Sequence, residues 1–259
     1  FGPKPTIPGN IRTMSGYIGC DDVPEIAGLT DAASGYTCTE NLATAPFPTP
    51  AGVGVIKANF PTVAANLYNA APLPAPLHGQ PVLPAYQILE RNGTKIAVIG
   101  ITASIVPQQA DTFNITFRFT QGVEELPGLI KKVKEEEGAE LIVVQSELGL
   151  SQNIKIAQSF EDIDVMYSAH THEVTLGALL VTDDEVTRTT PGADLSNGER
   201  KQLRKGAAIV VETNRDMYVG RLDLEMRRGR SSNFSWEAIP VDESVAEDPA
   251  MAELVAAME

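Results

Sequence analysis

The stretch VVQSELGLSQNIKIAQSFEDIDVMYSAHTHE (143–173) joins two apolar runs through a segment with helical spacing, and it ends in two histidines. The runs at 140–144 and 163–168 are short and apolar, which predicts buried strands. Between them, residues 150–160 predict a helix with Ser151 as its N-cap. A helix between two buried strands is typical of an α/β layered domain.

The flanking sequence predicts further elements of the same domain. Apolar spacing predicts a helix over 121–137, and an Asn92-Gly93 turn predicts a β-hairpin over 86–101. Phe60, Val63, Ala64 and Ala65 suggest a short buried strand within 59–70. Beyond the histidines, we expect a strand at 178–182, a polar loop over 182–206, and three strands in a row. These last strands are expected at 207–213, 218–226 and 234–241, with Trp236 in the core.

The predicted organisation has three parts. Residues 1–50 are rich in Pro, Gly, Thr and Ala and predict a long loop insertion. Residues 51–245 hold the α/β domain, and 246–259 begin a linker helix with Asp248 as cap and Pro249 in its first turn. Cys20 and Cys38 are the two cysteines of the chain. A disulfide between them is favoured over two free thiols, because a polar loop gains most from a covalent link.

Composition limits the classes of function. The 259 residues carry a formal net charge of −14, which excludes nucleic acid polymers as partners because a phosphate backbone would be repelled. No apolar run reaches the ~18 residues of a transmembrane helix. Asn92, Asn114 and Asn233 begin candidate glycosylation sequons. Together with paired cysteines, they favour an extracytoplasmic location: periplasmic, cell-surface or secreted.

Two of the three histidines of the chain, His170 and His172, lie one residue apart after the second predicted strand. In an extended segment, side chains at i and i+2 point the same way. Both imidazoles would then converge at the carboxyl edge of the sheet, where open α/β sheets build their sites. Adjacent parallel strands would bring Glu147 beside them. A partial metal shell is one interpretation, and a pair of loop histidines beside a solvated carboxylate is the other. His78, in a proline-rich loop, is interpreted as structural.

The same stretch resembles the late motif block of the secreted 5′-nucleotidase family of metallophosphoesterases, which reads SHLG, GIDVI and GGHTH over this distance. Four further segments resemble that family in the same order: ANFPTVAAN, NGTKIAVIGIT, AIVVETNRDMYVGRLDLEM and WEAIPVDESVAEDPAM. The resemblance covers about residues 51–259. Thiosulfohydrolases and 2′,3′-cyclic phosphodiesterases share this pattern, so it does not identify the substrate.

The resemblance implies a four-layer αββα sandwich and two divalent metal ions that polarise a phosphoryl group and activate water. His170 and His172 match the histidine ligands of GGHTH. Glu147 stands where the family has another histidine. A carboxylate there either shifts metal preference toward Mn, Mg or Ca, with Zn also among the candidates, or marks a site that has drifted. A single stabilising metal or calcium site is a weaker alternative.

The family's early motifs, Asp-x-His, Gly-Asp and Asn-His, do not occur in this sequence. The catalytic histidine is therefore expected outside these 259 residues, and no catalytic residue is assigned within them. We expect the missing amino-terminal segment as a partner, either continuous or docked as a separate chain, and a small phosphoester as substrate. The rival hypothesis is a non-catalytic structural or binding module of an extracellular assembly, derived from the same fold.

Overall fold

The computed structural model describes residues 30–31, 36–37, 60–109, 116–213, 217–227 and 229–256. The chain divides into two compact units, Phe1–Ala85 with Ser104–Thr120, and Tyr86–Ala103 with Gln121–Glu259. The predicted disulfide between Cys20 and Cys38 and the predicted sequon at Asn114 lie outside the described residues. The domain boundaries at residues 50 and 245 stay a prediction.

The first unit contains short elements. Two antiparallel pairs, a 3₁₀ turn and a short helix make up its described part: β1 (Thr30–Asp31) with β2 (Tyr36–Thr37), β3 (Leu67–Asn69) with β6 (Phe117–Phe119), the turn Ala75–Leu77, and α1 (Val106–Gln109). Within the range 59–70, where a buried strand is predicted, the observed strand is limited to β3 at the carboxyl end of the range. Ala64 and Ala65 are buried, but Phe60 is 63% exposed, so its predicted burial is wrong.

The second unit is built on one mixed sheet of seven strands in the order β10-β9-β11-β8-β7-β5-β4. Its elements are β4 (Tyr86–Arg91), β5 (Thr94–Ile101), α2 (Leu126–Glu135), β7 (Leu141–Ser146), α3 (Leu150–Ser159), β8 (Val165–Ser168), β9 (Leu179–Val181), β10 (Val186–Arg188), α4 (Asn197–Arg204), β11 (Ala208–Glu212), β12 (Tyr218–Arg227), β13 (Arg230–Pro240) and α5 (Pro249–Ala256).

Parallel pairing makes up the centre of this sheet. β5, β7, β8 and β11 run parallel, whereas β4 pairs antiparallel at one side and β9 and β10 at the other. The central strands are apolar and buried on both faces, which is what parallel sheets require. Helices α2 and α3 supply the crossovers between β5, β7 and β8.

The two faces of the sheet pack against different layers. Alternate residues of β7, β8 and β11 join a core with the β12–β13 hairpin: Leu141, Val143, Val165, Ile209, Val211, Phe234 and Trp236. The residues between them face the other way, and there α2 lies along β7 while α3 crosses β8, β9 and β11. Helices, mixed sheet and hairpin therefore stack as layers, which confirms the predicted α/β class.

Trp236 anchors the hairpin to the sheet. Its side chain is buried, as predicted, and its Nε1 donates a hydrogen bond to the carbonyl oxygen of Thr175 at 2.6 Å. Gly220 of β12 pairs with Ala238 and is a diagonal neighbour of Trp236. It leaves room for the indole, because a Cβ at that position would collide with the far edge of the Trp236 ring. The hairpin core therefore depends on a glycine facing a large aromatic side chain.

Two local predictions are wrong. The region 182–206, predicted as a loop, contains β10 and α4, and α4 begins with a capping box in which Ser196 and Glu199 exchange hydrogen bonds. Helix α3 begins one residue before Ser151, and Gly149 is its N-cap without a side-chain hydrogen bond. In contrast, Asp248 caps α5 as predicted, since its Oδ1 accepts from the amides of Ala250 and Met251 at 2.9 and 3.0 Å.

A half-buried aspartate, Asp164, ties together the amino ends of the parallel strands. Asp164 Oδ2 accepts from the amide of Ile142 at 2.8 Å, and the Asp164 carbonyl oxygen accepts from the amide of Ile209 at 2.9 Å. Burial raises the pKa of Asp164 to about 6. The bond from Ile142 opposes that shift, the negative charge of Asp162 adds to it, and Lys134 and Arg230 oppose it.

Stability is expected to depend on pH through Asp164. Its native pKa lies above its ordinary value of 3.8, so the folded state holds the proton more tightly than the unfolded state does. The contribution is complete below about pH 4 and is lost as pH rises through about 6, at most about 3 kcal/mol. Asp164→Asn should abolish this loss of folding stability with rising pH. Urea unfolding of both proteins at pH 4, 5.5 and 7.5 checks it, and parallel curves would contradict it.

Replacing Gly220 with alanine should lower the free energy of unfolding by about 1–3 kcal/mol, because the new methyl group forces Trp236 to move. Gly198→Ala is the matched control. It adds a methyl group in helix α4 with its nearest neighbour at 3.7 Å, and it should stabilise by about 0.5–1 kcal/mol. Urea titrations followed by fluorescence of Trp236, the one tryptophan, measure both. Equal effects of the two substitutions would refute the packing argument.

Candidate metal centre

The candidate ligands follow adjacent parallel strands at the same edge of the sheet. Glu147 comes directly after β7, and its amide bonds the carbonyl oxygen of Ile101 at 3.0 Å. His170 comes two residues after β8, and the amide of Ala169 bonds the carbonyl oxygen of Ser146 at 2.9 Å. The sheet therefore brings the loops after β7 and β8 to one edge.

The backbone around the histidines differs from the prediction. His170 has φ 89° and His172 has φ 56°, which is left-handed rather than extended, so strand alternation does not govern where their imidazoles point. Both side chains are exposed, and so is that of Glu147. Non-glycine residues in this conformation carry a cost of about 1–3 kcal/mol that surrounding structure must offset.

Within the ranges that the structure describes, no three His, Cys, Asp or Glu side chains are grouped closely enough to hold a metal ion. Glu147, His170 and His172 stay predicted ligands. Two imidazoles and a carboxylate are nevertheless donors that suit Zn or Mn chemically. The chemistry of these three side chains suits metal ligands. They could supply some of the ligands of a metal site, but not all of them.

A polar row ends the parallel strands behind these loops. Ser146, Ser168 and Glu212 are register partners on β7, β8 and β11, and their side chains are 3%, 6% and 1% exposed. Asn153 of α3, fully buried, connects the two serines. Its Nδ2 donates to Ser168 Oγ at 2.8 Å, and its Oδ1 accepts from Ser146 Oγ at 2.7 Å.

Thr171, between the two histidines, is bound to this row. Its Oγ1 donates to Glu212 Oε1 at 3.1 Å and accepts from the amide of Leu150 at 3.2 Å. Its Cγ2 lies against Gly149, which has φ 87° and no space for a Cβ on that side. The histidine loop is therefore held by a hydroxyl group and a methyl group, while the imidazoles stay accessible.

Sequence reasoning did not find this polar row. Its signal was present, because each of the three apolar strands ends in a hydroxyl or carboxyl side chain: LIVVQS, VMYS and AIVVE. Ser146 and Glu212 are 66 positions apart in the sequence. Only the register of the strands shows that the three end residues are neighbours. The inference would have required a known strand order.

Other predicted sites lie apart from this edge. Asn92 is exposed in the turn between β4 and β5. Asn233 on β13 is half-buried, and its Nδ2, the atom that a glycan would modify, donates to Glu225 Oε1 at 3.3 Å. Glycosylation at both stays a prediction. His78 is exposed in the first unit, where its Nε2 lies 2.7 Å from the carbonyl oxygen of Leu73.

Known proteins with related sequences include several 5′-nucleotidases. The 5′-nucleotidase of Vibrio cholerae is 28% identical over 200 residues, which is 71% of this chain and 34% of that protein. The snake venom 5′-nucleotidase of Naja atra is 24% identical over 74% of this chain and 35% of its own length. The chain thus spans about a third of these relatives. It matches no established family profile.

Solved structures show the same fold. The sulfate thiohydrolase SoxB of Thermus thermophilus superposes with a TM-score of 0.58 at 20% identity, covering 76% of this chain and 31% of that one. The calcineurin-like phosphoesterase YfkN of Bacillus subtilis gives a TM-score of 0.53 at 19% identity, covering 78% and 62%. The fold is therefore that of calcineurin-like phosphoesterases, as predicted.

The related sequences and the shared fold support a 5′-nucleotidase-like metallophosphoesterase family, of whose members this chain covers part of the length. This is a family of phosphoesterase-type hydrolases. Among the described residues, no helix is long and apolar enough to cross a membrane.

Gly149→Ala should destabilise the second unit more than Gly192→Ala. Both glycines have positive φ, but only the new methyl group at 149 meets Thr171 Cγ2, at 2.5 Å, whereas the site at 192 is open. We expect about 1–2 kcal/mol of backbone cost for either change and about 1–3 kcal/mol more at 149.

The Thr171→Ser background identifies the cause, because serine lacks Cγ2 and keeps Oγ1. There, Gly149→Ala should cost about as much as Gly192→Ala in urea titrations. If the extra cost survives in that background, the contact with Thr171 does not produce it.

Proposed function

We propose that this chain is part of a metal-dependent phosphoester hydrolase of 5′-nucleotidase type. In this proposal Glu147, His170 and His172 contribute ligands to a site for two divalent ions. The observation that carries it is the shared position of the two loops: both follow central parallel strands at one edge, and both present exposed donor side chains. The 5′-nucleotidase relatives support the same reaction class.

The chemistry of the donors defines what each residue does. His170 and His172 bind metal through neutral imidazole nitrogens, and Glu147 binds through a carboxylate that favours harder ions such as Mn, Mg or Ca over Zn. When bound, the ions polarise the phosphoryl oxygens and lower the pKa of water. Thr171 keeps the backbone of both histidines in place through its bonds to Glu212 and Leu150.

Three ligands are about half of what a dinuclear site uses, so the proposal assigns the rest of the site to polypeptide beyond these 259 residues. That segment also supplies the histidine that acts on the phosphate, either continuous with this chain or docked against it. The relatives, about three times as long as the matched region, support this division. The substrate class is a small phosphoester, and the location is extracytoplasmic, as for the venom relative.

Metal binding should depend on two of the three histidines. His170→Asn and His172→Asn should each weaken Mn²⁺ and Zn²⁺ binding by at least about tenfold, the loss seen even for residues that only support a ligand. Asparagine is chosen because it tolerates a left-handed backbone and lacks an imidazole. Titration calorimetry on the native protein after metal removal, with any accompanying polypeptide present, measures the dissociation constants.

His78→Asn is the matched control, because it removes the third histidine from the other unit and should leave metal affinity unchanged. Glu147→Gln should weaken Mn²⁺ more than Zn²⁺, since it removes the hard ligand. Unchanged affinity in a double variant at 170 and 172 would exclude these histidines as ligands.

Activity is best tested on native material. Intact-mass measurement and peptide mapping of the purified protein show whether other polypeptide accompanies these residues, and metal content is measured on the same sample. About two ions per molecule with hydrolysis of a nucleoside 5′-monophosphate would agree with the enzyme. Stable folding without metal or hydrolysis would contradict it and favour a non-catalytic binding module.

A further inference from the structure

Glu212 is a carboxylate buried at the carboxyl end of β11, 1% exposed, and hydrogen-bond donors surround it. Ser168 Oγ donates to Oε2 at 2.6 Å. Thr171 Oγ1 and the amide of Glu173 each donate to Oε1 at 3.1 Å. Two hydroxyl groups and a backbone amide therefore donate to the two oxygens of this side chain.

These three donors bracket the histidines along the chain. Positions 168, 171 and 173 are fixed to one carboxylate, and His170 and His172 lie between the fixed points. Both histidines have left-handed backbone, a conformation that surrounding structure must impose. The bonds to Glu212 are contacts that impose it, because they fix the residue that follows each histidine.

The same carboxylate is linked to the loop that carries Glu147. Ser168 Oγ, which donates to Glu212, accepts from Asn153 Nδ2, and Asn153 Oδ1 accepts from Ser146 Oγ. The amide of Leu148 donates to Ser146 Oγ at 3.3 Å. A continuous series of hydrogen bonds therefore runs from Glu212 to the residues on both sides of Glu147.

We propose that Glu212 is a positioning residue, which holds the 168–173 segment so that His170 and His172 present their imidazoles at the sheet edge. The proposal rests on the proposed function, in which these imidazoles bind metal. Glu212 itself touches neither metal nor substrate. Residues that orient ligands in this way typically change metal affinity by about 10–100-fold when they are replaced.

The informative substitution is Glu212→Gln, which keeps the volume and replaces one acceptor oxygen with an NH₂ donor. That NH₂ group faces either the donors at Thr171 and Glu173 or the Ser168 hydroxyl, which would then have to accept instead of donate. At least one of the bonds that these groups donate to Glu212 is therefore lost. Thr171→Val removes the hydroxyl with little change in shape, and Thr171→Ser retains it. Asp164→Asn is the control for loss of a hydrogen-bonded carboxylate elsewhere, since Asp164 is half-buried and lies at the opposite end of the same sheet.

Two readouts are measured on the full chain. The first is hydrogen exchange of the Glu173 and Leu150 amides in metal-free protein, resolved by NMR. The second is the dissociation constant for Mn²⁺. We expect faster exchange, by at least about tenfold, of the Glu173 amide in Glu212→Gln and of the Leu150 amide in Thr171→Val, because these amides donate to Glu212 and Thr171 respectively. Both variants should bind Mn²⁺ about 10–100-fold more weakly. In Thr171→Ser and Asp164→Asn, the amide exchange rates and the Mn²⁺ dissociation constant should both stay within about threefold of the wild-type values.

The outcomes distinguish a failure of this proposal from a failure of the proposed function on which it rests. Failure of the native protein, with the polypeptide that accompanies these residues, to bind Mn²⁺ would contradict the proposed function, and the amide exchange rates would still decide whether Glu212 holds the segment. If Glu212→Gln does not fold, the contrast between Thr171→Val and Thr171→Ser carries the test. Wild-type exchange and affinity in Glu212→Gln, or equal losses in Asp164→Asn, would overturn the positioning role.

Discussion

The common register of β7, β8 and β11 is the constraint on which the second unit depends. Along most of their length these strands present apolar residues to both faces, and the sheet core forms there. In the last row the helix-facing positions become Ser146, Ser168 and Glu212. A shift of one residue in any strand would turn these polar side chains to the opposite face. Register therefore specifies the core and the support of the candidate site together.

Local signals made much of the fold predictable. The prediction of the β4–β5 hairpin is correct because Asn92 and Gly93 have φ of 51° and 78°. A tight two-residue turn requires such positive angles. Helix α4 was missed because its residues NGERKQLR offer little apolar periodicity, and Leu203 is its one buried residue. Its capping box at Ser196 and Glu199 was the available signal. Ser151 was misassigned because a glycine, with no side-chain cap, begins α3 instead.

The candidate site was less predictable than the fold, for a physical reason. Strand ends could be read from the sequence, so Glu147, His170 and His172 were correctly placed after adjacent strands. The conformation of the histidine loop could not be read in the same way. It departs from an extended chain because Thr171 and Glu173 bond to Glu212, which lies about 40 positions further along the sequence. Contacts of that range depend on the strand order.

The left-handed backbone of His170 and His172 has an evolutionary consequence. Glycine adopts such angles without the steric cost that a β-carbon brings. At each position a mutation to glycine would therefore relieve backbone strain while it removes an imidazole. In a lineage that does not use the imidazoles, a mutation from histidine to glycine at either position would therefore increase the free energy of unfolding.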